Sequence, residues 1–301
     1  MISSVGVIGA GLMGSGIAQL FAASGKQVQL FEPFEESQRQ AKEKIRSICK
    51  AIGDPEDCVE RIVVTGDLAQ AVETADFVIE AAPEKIDLKQ DLFLKLARLT
   101  RPEAILGTNS SVIPVSTVAG QLDAADAARV VGVHFWNPPY LVPLVEVIQG
   151  DRTSDQTVQS TIELLREAGK EPVHIQKDTV VGNRLQHALW REAVALVAEG
   201  AIDAAGVDTV IKKSFGLRLP VLGPLENADL VGIELTQDVH RVVFPQLSND
   251  SEPNPLLQQM LEAGKAGMNA GSGFYDWTPE TAAAKRELLT RHLMTVTGRN
   301  G

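Results

Sequence analysis

Cysteine is scarce in this chain: two residues in 301, Cys49 and Cys58, which form neither a disulfide framework nor a metal-ligand spacing. With so few thiols and only five histidines, a reducing cytoplasm is the expected compartment and no metal centre is expected. Basic charge is short as well. Lys and Arg total 28 against 39 Asp and Glu, giving a formal charge of −11 and a pI near 5.0. That balance excludes a general nucleic-acid or anionic-membrane binder, although a local basic patch can still hold an anion. A long uninterrupted apolar run is also missing. Residues 1–25 carry no charged side chain, yet glycine recurs at 6, 9, 11, 14 and 16 and no basic residue precedes the run. The stretch therefore reads as a first fold element, neither signal peptide nor membrane span. There is no internal repeat and no low-complexity tract.

What remains is the composition of a soluble enzyme, 44 % apolar and 22 % charged, in a chain long enough for two domains. "SVGVIG" predicts a buried strand, "LMGSGIAQLFAAS" a helix and "KQVQLFE" the next strand, a single βαβ unit. A charged helix over 35–52 follows. "ADFVIEAA", "EAILGTN", "ARVVGVHF", "PLVEVIQ" and "EPVHIQ" are further strands, with helices such as 87–99 between them. From Asn183 onward the period turns helical: "NRLQHALWREAVALVAEG", "AAGVDTVIKKSFG", "ADLVGIELTQDVHRVVF" and a last helix from about Pro279. The expectation is an α/β Rossmann-type, doubly wound and mostly parallel sheet over 1–180, joined to an all-helical domain over 181–301.

"GAGLMG" places Gly9, Gly11 and Gly14 in GxGxxG spacing around Leu12 and Met13. Alone the pattern is weak, but here it follows a strand and opens a helix. Gly9 then serves the tight turn, Gly11 the approach of a pyrophosphate, Gly14 the packing of helix on strand. The helix N-terminus adds partial positive charge. Glu32 ends the next strand, where it can accept from both ribose hydroxyls and repel a 2′-phosphate. Pro33 and Phe34 follow it, not arginine, so NAD is expected over NADP.

"HFWNPPYLVPLVE" sets an imidazole, His134, and a carboxylate, Glu146, at the ends of a segment with no other charge and three prolines. A pair at the two ends of a buried, stiff stretch is either structural or chemical, and the residues alone leave that open.

Taken together, "VIGAGLMGSGIA", "IEAAPEKIDLKQDLF", "TNSSVIPVS", "GVHFWNPPYLVPLVEVI", "GKEPVHIQKD", "NRLQHALWREAVALVAEG" and "GSGFYDW" resemble, in the right order and over nearly the whole chain, the L-3-hydroxyacyl-CoA dehydrogenases and their λ-crystallin-like relatives acting on free 3-hydroxy acids. The resemblance implies oxidation of an alcohol β to a carboxyl or thioester. It implies His134 as base and Glu146 as the carboxylate that fixes its tautomer and stabilises the imidazolium. Ser111 aligns with the serine that donates to the substrate oxygen, with the adjacent Ser110 as rival. Asn183 matches the asparagine at the reacting group and would otherwise be read as a helix cap. Glu84, Lys89, Ser111 and Asn137 match positions near the nicotinamide end; without the family, Glu84 and Lys89 read as solvated charges at a helix start. His187, one turn after Asn183, ranks a distant second as base. The same resemblance implies a homodimer through the helical half and a small-molecule hydroxyacyl substrate.

Departures from the family bear on the hinge, on a cofactor contact and on substrate. "DTVVGNR" is two residues shorter than the family's usual approach to its helical half. Asn269 stands where a lysine is usual, and Pro143 resembles the λ-crystallin and carnitine-dehydrogenase branch. Against these, Arg39, Lys42, Arg46 and Lys50 fall on one helical face, either a seat for CoA phosphates or a solvated face balanced by Glu35, Glu36 and Glu43. The carrier, CoA thioester or free acid, is thus open, and a non-catalytic NAD-binding protein is the reading from another class.

Overall fold

The computed structural model describes residues 2–298, which divide into two compact units, 2–181 with 289–298 and 182–288. The first unit is built on one eight-stranded sheet. Its strands are β1 (Ser4–Ile8), β2 (Gln27–Phe31), β3 (Ile62–Thr65), β4 (Phe77–Glu80), β5 (Ile105–Thr108), β6 (Val130–Phe135), β7 (Leu144–Ile148) and β8 (Glu171–Ile175). Their order, β3-β2-β1-β4-β5-β6-β7-β8, reverses direction between β1 and β4. That reversal is the switch point of a doubly wound sheet, where the carboxyl ends of the strands open a crevice. All pairs among the described strands are parallel except β6 with β7.

Helices fill the crossovers: α1 (Leu12–Ala23), α2 (Glu35–Ile52), α3 (Leu68–Val72), α4 (Ile86–Leu99), α5 (Val115–Val118), α6 (Ala124–Ala128) and α7 (Asp155–Glu167). The central strands are buried on both faces, so their sequences are continuously apolar, as in "VVGVHF". Alternation still sorts them. Phe77 and Ile79 join one core cluster, with Ile17 and Phe21 of α1 and Ile45 of α2. Val78 joins the other, with Val72 of α3 and Phe93 and Leu96 of α4. Gly53, with φ 72°, caps the carboxyl end of α2 in the left-handed region.

β3 and α7 are not named in the sequence reading. β3 is four residues at the sheet edge with one exposed valine, too short for a periodic signal.

The second unit is helical: most of α8 (Val181–Ala198), then α9 (Ala204–Lys213), α10 (Pro224–Val231), α11 (Ile233–Val243), α12 (Pro255–Glu262) and the first half of α13 (Pro279–Val296). Read as one stretch, "ADLVGIELTQDVHRVVF" is in fact two helices, because Gly232 at φ 96° breaks it. Within 182–288 the buried apolar residues are only Ala195, Val207 and Ala282, whereas Val221, Leu225, Leu230, Ile233 and Val242 are each more than 60 % exposed. No helix among the described residues is long and apolar enough to cross a membrane.

Candidate active site

The register of β6 against β7 sets His134 directly opposite Glu146. Directly opposite residues of an antiparallel pair point to the same face, so the ladder itself brings the two side chains together. Nδ1 of His134 lies 2.8 Å from Oε2 of Glu146, and the residues are 5 % and 2 % exposed. A carboxylate at Nδ1 favours the proton there and leaves Nε2 for proton transfer. A buried carboxylate needs further donors. Oε1 accepts a 2.8 Å hydrogen bond from the backbone N–H of Val181, the first residue of α8. The connector 136–143 is folded on itself, with the amides of Leu141 and Val142 both donating to the Pro138 carbonyl. It packs on α1 at Gly16, where a Cβ would stand 2.6 Å from Cγ of Pro139. The proline-rich segment is thus a stiff return between the two strands. Trp136, at its start, holds its ring 5.7 Å from the imidazole, and its buried Nε1 has no hydrogen-bond partner among the described residues.

A second cluster forms at the carboxyl ends of β4 and β5. Glu80, wholly buried, accepts from Nζ of Lys89 (2.6 Å) and the amide of Ala82 (2.6 Å) on one oxygen, and from Oγ1 of Thr108 (2.7 Å) on the other. Lys89 is 1 % exposed, so it is no solvated helix-start charge. Its ammonium also lies 3.4 Å from Glu84. Glu84 in turn accepts from the Ser111 amide (2.6 Å) and the Ser110 hydroxyl (3.0 Å). The Ser110 hydroxyl also accepts from the Ile113 amide at 2.9 Å and is buried; Ser111 is half-buried. Glu80 is a residue that sequence reasoning missed. Its signal was present: a carboxylate closing the otherwise apolar strand "FVIE".

The glycine-rich turn lies at the switch point. Gly9 has φ 101°, and a Cβ on Gly14 would sit 1.8 Å from the Gly9 carbonyl oxygen, so α1 closes on the turn only with glycine there. A Cβ on Gly11 would meet nothing within 4 Å, so the space before the helix is open. No side chain caps α1 and no acid stands in its first turn. Its leading amides, beside exposed Leu12 and half-buried Met13, keep their partial positive charge for an anion. Glu32 is buried at the end of β2, accepting from the amides of Ala10 (3.0 Å) and Phe34 (3.2 Å). A carboxylate has about four acceptor sites, so two hydroxyls can still be bound. The turn therefore fits a dinucleotide.

The other expected residues are more scattered. Asn137 is exposed at the start of the connector. Asn183 stands in the first turn of α8, third from its start, so it is not the cap residue. His187 belongs to the second unit, its ring edge-on to Trp190 at 4.9 Å, lining a cavity of about 620 Å³ with Arg191, Asp208 and Tyr275. Asn269 accepts from Arg286 at 2.7 Å. On α2, Arg39 pairs with Glu35, Arg46 with Glu43 (3.6 Å) and Lys50 with Glu56 (3.9 Å). Cys49 and Cys58 are buried thiols 3.6 Å apart, and burial pushes the Cys58 thiol up to about 12. Among the described residues no group of three or more His, Cys, Asp or Glu is placed to hold a metal ion.

Comparison with known proteins matches residues 4–179 to the family described as 3-hydroxyacyl-CoA dehydrogenase, NAD binding domain, and residues 180–277 to its C-terminal domain. The chain is 33 % identical to a 5-formyl-3-hydroxy-2-methylpyridine 4-carboxylate 5-dehydrogenase of Mesorhizobium japonicum, over 98 % of this chain and 97 % of that one. It is 36 % identical to a probable 3-hydroxybutyryl-CoA dehydrogenase of Deinococcus radiodurans, over 90 % and 99 %. A crystal structure of a 5-formyl-3-hydroxy-2-methylpyridine 4-carboxylic acid 5-dehydrogenase, an NAD+-dependent dismutase, superposes with a TM-score of 0.90 at 32 % identity, covering 98 % and 97 %.

Proposed function

Because the chain belongs to the 3-hydroxyacyl-CoA dehydrogenase family of NAD-dependent oxidoreductases, we propose that it oxidises the hydroxyl of an L-3-hydroxyacyl substrate to the ketone, with a CoA thioester such as 3-hydroxybutyryl-CoA as carrier. The observation that carries this reading is the buried His134–Glu146 pair. Nε2 of His134 takes the hydroxyl proton. Glu146 holds the ring and stabilises the imidazolium, as a buried carboxylate at the far nitrogen does for other imidazole bases. Ser111 donates to the substrate oxygen, and its backbone is tied to Glu84 at the end of the Lys89–Glu80 cluster. Asn183 is assigned to the reacting group, and Asn137 to the nicotinamide side. The turn from Gly9 to Gly14 and Glu32 hold the dinucleotide. Bound NAD supplies the hydride acceptor.

A free hydroxy acid is the second reading. It is favoured by the full-length likeness to a dehydrogenase of a free pyridine carboxylate, and by the glutamates that already neutralise Arg39, Arg46 and Lys50. A homodimer through the second unit fits its exposed apolar side chains, and a cytoplasmic setting fits the two buried free thiols.

The test is a panel of 3-hydroxybutyryl-CoA and free L-3-hydroxy acids with NAD and NADP, read as NADH absorbance. His134→Asn should lower turnover at least about 10³-fold while NAD still binds. Turnover close to that of the parent would move the base elsewhere, with His187 next. No NADH from any substrate would favour the non-catalytic reading.

A further inference from the structure

We infer that the Glu80–Lys89–Glu84 cluster gives the cofactor site a preference between redox states, holding the oxidised dinucleotide more tightly than the reduced one. The inference rests on the reading of the glycine turn and Glu32 as the seat of NAD.

Strand order decides where the reacting end of the cofactor falls. The turn before α1 leads out of β1, and Glu32 follows β2, which lies on one side of β1. A pyrophosphate at the turn with one ribose at Glu32 sends the other half of the dinucleotide across β1, to the carboxyl ends of β4 and β5. Glu80 and Thr108 are the last residues of those two strands. The nicotinamide half thus meets the cluster.

The cluster is unevenly charged. Two carboxylates share one ammonium: Lys89 lies 2.6 Å from Glu80 and 3.4 Å from Glu84. Glu80 is wholly buried and also accepts from the Ala82 amide and the Thr108 hydroxyl. One buried cation there stands against one buried anion. Glu84 is the charge left over. Its side chain is 36 % exposed, and its other partners among the described residues, the Ser111 amide and the Ser110 hydroxyl, are neutral donors. Exposed Lys85 and Asp87, on either side of Ile86 at the start of α4, carry opposite signs and leave the sum at one negative charge.

The nicotinamide ring is positive in NAD+ and neutral once it has taken hydride. A fixed negative charge beside it therefore stabilises the oxidised form and does little for the reduced one. Reduced cofactor is then the form that leaves more readily after turnover.

Glu84→Gln removes the charge but keeps an oxygen for the Ser110 and Ser111 donors. Glu84→Asp keeps the charge but shortens the reach to them. Kd for NAD+ and for NADH is measured by calorimetry on the full-length protein without substrate. In Glu84→Gln the ratio of Kd for NADH to Kd for NAD+ should fall at least about threefold, through weaker NAD+ binding. In Glu84→Asp it should stay within about twofold of the parent. An unchanged ratio in Glu84→Gln, with both forms still bound, overturns the inference and leaves NAD standing as cofactor. An equal fall in both variants also overturns it, because the effect would then belong to the tie with the serine turn and not to charge. A parent protein that binds neither form overturns the cofactor seat and the inference with it.

Discussion

At the scale of single residues, Glu32 does two jobs that pull differently on a mutation. It is the residue proposed to bind the ribose, and it also satisfies the amides of Ala10 and Phe34. Glu32→Ala with Pro33→Arg removes a repelling carboxylate and adds a partner for a 2′-phosphate. The ratio of kcat/KM for NADP over NAD should rise by an order of magnitude or more. The same variant strands two amides in the turn, so its unfolding midpoint should fall as well. An unchanged cofactor ratio would remove Glu32 from the ribose. Asp76 gives the pH-dependent case. Partial burial alone would raise its carboxyl, but the amides of Ser3 and Ser4 and the Arg101 guanidinium outweigh that and hold it well below the usual carboxylate range. A carboxyl depressed on folding adds stability above its unfolded value, and that stability is lost as pH falls through its folded value. Asp76→Asn should therefore be less stable than the parent at pH 7, and the gap in urea midpoint should narrow below about pH 4. A gap that stays constant with pH would show that the ionised form does not matter.

Between elements, the Glu80–Lys89 pair ties β4 to α4 with both side chains out of water. Breaking a buried pair from one side leaves an uncompensated charge, at a cost of about 3–5 kcal/mol. Lys89→Met should lower unfolding stability by about that much, and Glu80→Gln in the same chain should restore a large part. A single mutant as stable as the parent would mean that water already reaches the pair. This tie also shows what was legible in the sequence. The strands from β4 to β8, the glycine turn and the His134 and Glu146 positions carry dense local signals: apolar runs, fixed glycine spacing, a rare imidazole. Burial of Lys89 carries none, because "DLKQDL" reads as an amphipathic surface turn until Glu80 is placed beneath it. The four-residue β3 and the break at Gly232 were illegible for the opposite reason. One has too few residues for a period, and the other turns on a backbone angle that an isolated glycine does not declare. Val181 contributes only main-chain atoms, which every sequence shares.

On the scale of the whole molecule, the two units differ in how much apolar surface they hide. The sheet unit buries its valines and isoleucines on both faces, whereas the helical unit leaves Leu225 at 81 % and Val242 at 65 % exposed. Exposed apolar side chains of this kind suit an association surface, and the partner proposed for it is a second copy related by two-fold symmetry. Sedimentation at micromolar concentration should give a single species of twice the 32.3 kDa chain mass. Leu225→Glu with Val242→Glu should shift it toward the monomer and expose dye-binding surface. A monomeric parent would end the dimer proposal.

The one antiparallel pairing among the described strands has a consequence for how such a protein can change. Because β6 and β7 are zipped in register on both sides of His134 and Glu146, the distance between the two side chains is set by the ladder and not by the loop that joins the strands. Much of 136–143 can then vary in bulk, polarity or length while the His134–Glu146 pair stays where it is. The geometry of the pair and the conformation of the loop are thus written in separate stretches of chain, and a lineage can edit the one without re-inventing the other.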